Sequence, residues 1–81
     1  MLSPTKLKAL LYHLCVKYGF CLRRDEYERL CADPPNEVTS FTDAVYRAEG
    51  LDPATADARV YGLVHTAVER AFRGETLDSS A

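Results

Sequence analysis

Proline and glycine punctuate this chain at intervals that suit helices and little else. Ser3-Pro4, Gly19, Pro34-Pro35, Gly50, Asp52-Pro53 and Gly74 divide 81 residues into four segments. Within each segment apolar residues return every three or four positions, the period of one helix face. No five-residue window alternates apolar and polar side chains well enough to make a strand. The expectation is an all-α domain of about four helices in an orthogonal or irregular array.

The first helix is expected from Pro4 to about Tyr18. The Ser3 hydroxyl can accept an orphan backbone N–H, and the missing N–H of Pro4 is harmless at the first helical position. Leu7, Leu10, Leu11, Leu14 and Tyr18 form its apolar stripe, Lys6, Lys8 and Lys17 point elsewhere, and Gly19 supplies a left-handed stop. Phe20, Cys21 and Leu22 are too few for a partnered strand and are read as an apolar plug between helices. The second helix, about Arg23 to Cys31, turns Tyr27, Leu30 and Cys31 inward and ends at Asp33-Pro34-Pro35.

The third helix is expected to begin near Asn36 or at Ser40, where Ser40 and Asp43 have capping-box spacing. Val38, Phe41, Ala44, Val45 and Ala48 share one face, Gly50 closes the run, and Leu51 is expected to pack beneath the corner. Asp52-Pro53 repeats the opening device of the first helix, so the fourth is read from Pro53 to Arg73 as the longest and the spine of the fold. Its broad face is Val60, Leu63, Val64, Ala67, Val68, Ala71 and Phe72, and the small residues Gly62 and Ala67 suggest a tight crossing there. Residues 75–81 read as a flexible tail outside a single domain at 1–74.

A chain of this length has one core, since small domains bury too little surface to divide it. The longest uncharged apolar stretch, Ala9 to Val16, contains His13 and is half of what a bilayer needs, so no membrane association is expected. Three cysteines, Cys15, Cys21 and Cys31, cannot all pair within one chain and lack zinc or Cys-x-x-Cys spacing. Reduced thiols are the simpler reading, and the short apolar stretch together with an N-terminus that lacks a signal-peptide pattern reads as a cytoplasmic location. Charge is uneven: residues 1–31 carry six basic and three acidic side chains, residues 32–81 four and nine, giving about +3 and −5. Such polarity either steers a partner or holds the two halves together.

No constellation dictates a reaction. His13 and His65 lie beside apolar stripes, and a zinc site from His13, Cys15, Cys31 and His65 would need convergence that local spacing does not encode. Cys21, just ahead of the second helix and near Arg23 and Arg24, is the best candidate for a reactive thiol; the competing reading packs it with Phe20 and Leu22. Asp25, Glu26 and Glu28 look solvated rather than catalytic, and the glycines do not build a phosphate loop. No metal or cofactor is expected. The second and third helices invite comparison with a helix-turn-helix, but Asp43 and Glu49 against Arg47 would repel phosphate. A basic patch of Lys6, Lys8, Lys17, Arg23 and Arg24 remains in the N-terminal half.

Tyrosines suggest more: an aromatic ring with a polar tip suits a surface that contacts another protein. Tyr12 and Tyr46 fall off the apolar stripes of their helices and Tyr61 sits at a helix edge, so these three are the candidate interface residues; half-buried core tyrosines are the competing reading.

Gly19-Phe20-Cys21-Leu22, Asp33-Pro34-Pro35, Phe41-Thr42-Asp43-Ala44-Val45 and Ala48-Glu49-Gly50-Leu51-Asp52-Pro53 together resemble a group of short bacterial proteins of unknown function, across residues 9 to 73. The resemblance implies a bacterial, cytosolic source and transfers no site residues. The functional expectation is a non-catalytic protein-interaction or regulatory module, binding another protein or a second copy. The alternatives are a nucleic-acid-associated regulator using the basic N-terminal half, and a redox protein or small enzyme using Cys21.

Overall fold

A computed structural model describes residues 3–74. They form four α-helices, α1 (Pro4–Tyr18), α2 (Arg24–Ala32), α3 (Val38–Ala48) and α4 (Ala58–Phe72), with a 3₁₀ turn at Pro53–Thr55 and no strand among the described residues. The chain is a small all-α domain. The stops work by local chemistry. At α1 the Ser3 hydroxyl accepts the Lys6 N–H at 3.2 Å. At its other end Gly19 has φ +77°, and its N–H and that of Phe20 bond back to Cys15 O and Leu14 O at 3.0 and 3.1 Å. This is the left-handed helix stop that a glycine permits without steric cost.

The starts of α3 and α4 differ from expectation. The cap of α3 is Glu37, not Ser40: its carboxylate accepts the N–H groups of Thr39 and Ser40 at 3.2 and 3.0 Å and the Ser40 hydroxyl at 2.8 Å. A carboxylate long enough to fold back onto the first turn satisfies three donors at once, so the helix begins at Val38. Asp52-Pro53 opens only the 3₁₀ turn, with Asp52 accepting the Ala54 N–H at 2.9 Å. Ala56 is then extended, and Asp57 starts α4 afresh by accepting from Arg59 N and Val60 N at 2.9 and 3.2 Å. Helix α4 is therefore 15 residues long, the same as α1.

It is nonetheless central, packing against both α1 and α3. Lys6 Nζ donates to Gly74 O at 3.2 Å, placing the start of α1 beside the end of α4. Thr39 meets His65 and Asp43 meets Tyr61, so α3 also runs antiparallel to α4. Between these helices lie Leu10, Leu14, Phe41, Val45, Val64 and Val68, all fully buried, with Leu7, Leu11, Ala67 and Ala71 completing the layer. Phe20 and Leu30 close the core from the α1–α2 corner and from α2, and Tyr27 and Cys31 are half-buried around it. The one buried polar residue described, Thr42, returns its hydroxyl to Val38 O at 2.9 Å, the usual solution for a threonine inside a helix.

Three packing expectations are corrected. Leu51 is half-exposed rather than tucked under the corner. Val60 and Leu63 are exposed too, because α4 is rotated to bring Tyr61 and His65 onto α3. Gly62 is exposed, and a Cβ built on it would meet nothing within 4 Å. It marks no helix crossing, so it simply lowers the helix-forming tendency of α4.

Candidate functional site

The three candidate tyrosines do not form one surface. Tyr12 is 71% exposed on α1, Tyr46 is 3% exposed within the core, and Tyr61 is half-buried. Tyr46 as an interface residue is thereby corrected. It neighbours Val45 on α3, but that helix is covered on two sides, so the off-stripe position is also buried. The Tyr46 ring lies between Phe20 and Tyr61, with centroids 4.9 and 5.4 Å away, and its hydroxyl has no hydrogen-bond partner among the described residues. Burial, reinforced by the charge of Asp57, raises its pKa.

Tyr61 uses its polar tip inside the fold. Its hydroxyl donates to Asp43 Oδ1 at 2.6 Å, and this bond, with burial and the negative charge of Asp43, pushes its pKa up to about 12. One turn on, His65 Nε2 meets Thr39 Oγ1 at 3.1 Å, and its ring stacks on Tyr61 at 6.0 Å. Glu37, whose pKa is lowered by its bonds to the Ser40 hydroxyl and to the Ser40 and Thr39 amides, stands at the end of the same seam. Thr39 and Asp43 on α3 thus pair with His65 and Tyr61 on α4, each set spaced i, i+4 on its own helix. That matched spacing was the available sequence signal. The ladder fixes the rotation of α4 on α3, and each of its polar tips is engaged by a neighbouring side chain.

Cys21 is also corrected: it is not a free thiol but bonded to Cys15. The reversal at Gly19 brings the two Cα atoms to 4.2 Å although they are six positions apart. A bonded sulfur is not a thiolate nucleophile, and the pair replaces the reduced thiols expected at Cys15 and Cys21. Cys31 is the free cysteine described. It lines an open groove of about 520 Å³ between α1 and α2 with Lys8, Arg24, Tyr27, Glu28 and Ala32. Burial and contact with Cys31 raise the Tyr27 pKa. The potential metal ligands are dispersed: Cys15 is in the disulfide, His65 on α4 is bonded to Thr39 of α3, and His13 packs edge-on to Tyr18 at 6.0 Å. Among the described residues no three His, Cys, Asp or Glu side chains gather as a metal site would require. Burial first, then the charges of Lys17 and Arg70, lowers the His13 pKa.

The remaining surface feature is the outer face of α1. Its inward face carries Leu7, Leu10, Leu11 and Leu14, whereas Thr5, Ala9, Tyr12 and Val16 lie exposed on the opposite side at helical spacing. Val16 is 66% exposed, one turn from Tyr12. Helix α1 contains no acidic residue; Lys8 borders the exposed stripe on the α2 side, and Lys6 and Lys17 lie on the α4 side. Leu63, 48% exposed, shares a flank of α4 with Arg70 at i, i+7, and Arg70 acts on His13; Leu63 therefore lies on the side of α4 that faces α1. Uncharged, exposed helix faces framed by charge are where soluble helices contact partners.

No protein-family model matches the chain, and neither a curated protein nor a solved structure does. The resemblance to short bacterial proteins gains no support from these comparisons. No helix among the described residues is long and apolar enough to cross a membrane.

Proposed function

We propose that the domain is a non-catalytic protein-interaction or regulatory module that receives its partner on the outer face of α1. The observation that carries this reading is the exposure of Tyr12 and Val16 on adjacent turns of one helix, in an uncharged stripe with lysines on both sides. An exposed tyrosine offers a large rigid ring at low entropic cost, the commonest kind of interface anchor. The basic frame favours a segment whose apolar side chains are flanked by Asp or Glu, and complementary charge accelerates encounter and disfavours basic competitors. A single stripe about three turns long suits a contact at the small, transient end of interface sizes. Nucleic acid fits the face less well, because its uncharged centre offers nothing to a phosphate backbone.

A photo-crosslinking residue at position 12, with one at exposed Thr66 on α4 as the comparison site, tests this directly. Crosslinking from position 12 to an acidic-apolar segment is expected, weakened by salt and by Lys8→Glu with Lys17→Glu. A product joining two copies would identify the partner as self. Equal labelling from both positions overturns the reading, and salt-sensitive retardation of DNA or RNA in a gel would replace it with the nucleic-acid alternative.

A further inference from the structure

We infer that the Cys15–Cys21 disulfide is a reversible redox site that exchanges with small thiols of the glutathione type, with Cys21 as the exchanging sulfur and Cys15 as the resolving one. The bond lies at the surface corner between α1 and α2. Cys21 is exposed, Cys15 is half-buried, and Val16 and Gly19 beside them are exposed as well. A disulfide is attacked at the sulfur a thiolate can reach. Here that is the Cys21 side.

The surroundings also favour Cys21 as a thiolate once the bond is open. It is three residues ahead of α2, whose N-cap Arg23 makes no side-chain capping bond, so the first amides of that helix keep their positive end uncompensated by a cap. Arg23 and Arg24 follow two and three residues on, Arg24 paired with Glu28 at 3.4 Å, and Asp25 and Glu26 stand in the same first turn of α2 and oppose them, Glu26 held by Arg29 at 3.0 Å. Cys15 stands instead in the last turn of α1, where the carbonyl ends disfavour negative charge. Cationic neighbours and a helix start are the settings that lower a thiol pKa, and a helix end does the reverse.

Two further observations show that the corner does not depend on the bond. The left-handed Gly19, with its N–H bonded to Cys15 O and the Phe20 N–H bonded to Leu14 O, closes the turn through the backbone. Phe20, between the cysteines and 92% buried against Tyr46, then anchors it to the core. Opening the disulfide leaves both anchors in place.

The chemistry balances with two equivalents of thiol. A thiolate RS⁻ attacks Cys21 Sγ, the Cys15–Cys21 bond breaks, and Cys15 leaves with the electron pair and takes up a proton. A second RS⁻ attacks the small-thiol sulfur of the mixed disulfide, releasing Cys21 as the thiolate that the nearby Arg23 and the start of α2 favour. The products are RS–SR, oxidised by two electrons, and the Cys15/Cys21 dithiol, reduced by two. Re-oxidation by RS–SR runs the same steps backwards, with Cys21 attacking first and Cys15 closing the ring.

The test is a titration of the full chain in reduced and oxidised glutathione, quenched with an alkylating agent and read by intact mass, with circular dichroism on the same samples. The expected result is a reversible two-electron transition of the pair at unchanged helicity. In Cys15→Ser, oxidised glutathione should form a mixed disulfide at Cys21 about threefold faster than it does at Cys15 in Cys21→Ser, since a unit of lowered pKa gives about ten times more thiolate but a less nucleophilic one. Reduction that occurs only as the helices melt, or equal rates in the two variants, would overturn the proposal. Should a serine variant fail to fold, the wild-type titration still decides it.

Discussion

Gly62 and Gly19 make a paired test of how backbone conformation and free space together set the sign of a substitution. A Cβ built on either would meet nothing within 4 Å, so neither clashes. They differ in backbone: Gly62 is the fifth residue of α4 with helical geometry, whereas Gly19 has φ +77°. Gly62→Ala removes the entropic penalty of glycine inside a helix and adds no contact, so the expected gain is about 1 kcal/mol. Gly19→Ala forces a Cβ into the left-handed region, which costs roughly 1–2 kcal/mol. For a domain of this size 1 kcal/mol corresponds to about 4–8 °C in melting temperature. Thermal unfolding followed by circular dichroism, with urea titrations to check that the m-value is unchanged, should show the two alanines moving Tm in opposite directions. A destabilised Gly62→Ala would mean that α4 is approached closely at that point after all. A stabilised Gly19→Ala would refute the assignment of the α1 stop.

Tyr61→Phe removes the donor to Asp43 and should cost about 1–2 kcal/mol, in line with a partly exposed bond to a charged acceptor. The same residue has a pH signature: its pKa rises from 10.0 unfolded to about 12 folded, so its stabilisation is complete below pH 10 and drains away as pH climbs toward 12. Tyr27 and Tyr46, also raised, act in the same direction, so the Tyr61 share is the part of the alkaline loss that vanishes in Tyr61→Phe; an unchanged alkaline profile would contradict the assignment. Glu37 works in the opposite sense. Its lowered pKa means stability present above the ordinary carboxylate range and lost as pH falls through the folded value, and Glu37→Ala should flatten the acid limb of a stability–pH curve. Replacing both Cys15 and Cys21 by serine should leave the helices intact but lower unfolding free energy by about 2 kcal/mol, the loop-closure value for so short a ring; a larger loss would make the bond a structural necessity.

The helices were legible because their ends are local chemistry. Ser3, Pro4 and Gly19 bound α1 from Pro4 to Tyr18, and the leucines between them mark the buried face unambiguously. Where two local devices compete, local reading chose less well. Asp52-Pro53 and Asp57 both open helical turns, and only the extended Ala56 between them shows that the long helix starts at the second. Likewise Ser40 looked the better cap, but Glu37 reaches both it and the Thr39 amide.

The candidate site depended on information that a single helix does not carry. Tyr12 and Tyr46 both stand off their apolar stripes, yet one is exposed and the other buried, because α1 is covered on one side while α3 also receives Phe20 and α4. The rotation of α4 is fixed by Asp43–Tyr61 and Thr39–His65, pairs separated by 18 and 26 residues, and that rotation turns Leu63 outward. The Cys15–Cys21 bond lies between these cases: the glycine stop between the cysteines is in the sequence, but the return of the chain that joins them is a property of the folded turn. The sequence by itself determined that there are four helices, which faces of α1 and α3 are apolar and where α1 begins and ends, since caps, stops and side-chain period act within a few residues. Which outward faces stay outward was decided only by tertiary packing, since that depends on what the other helices cover.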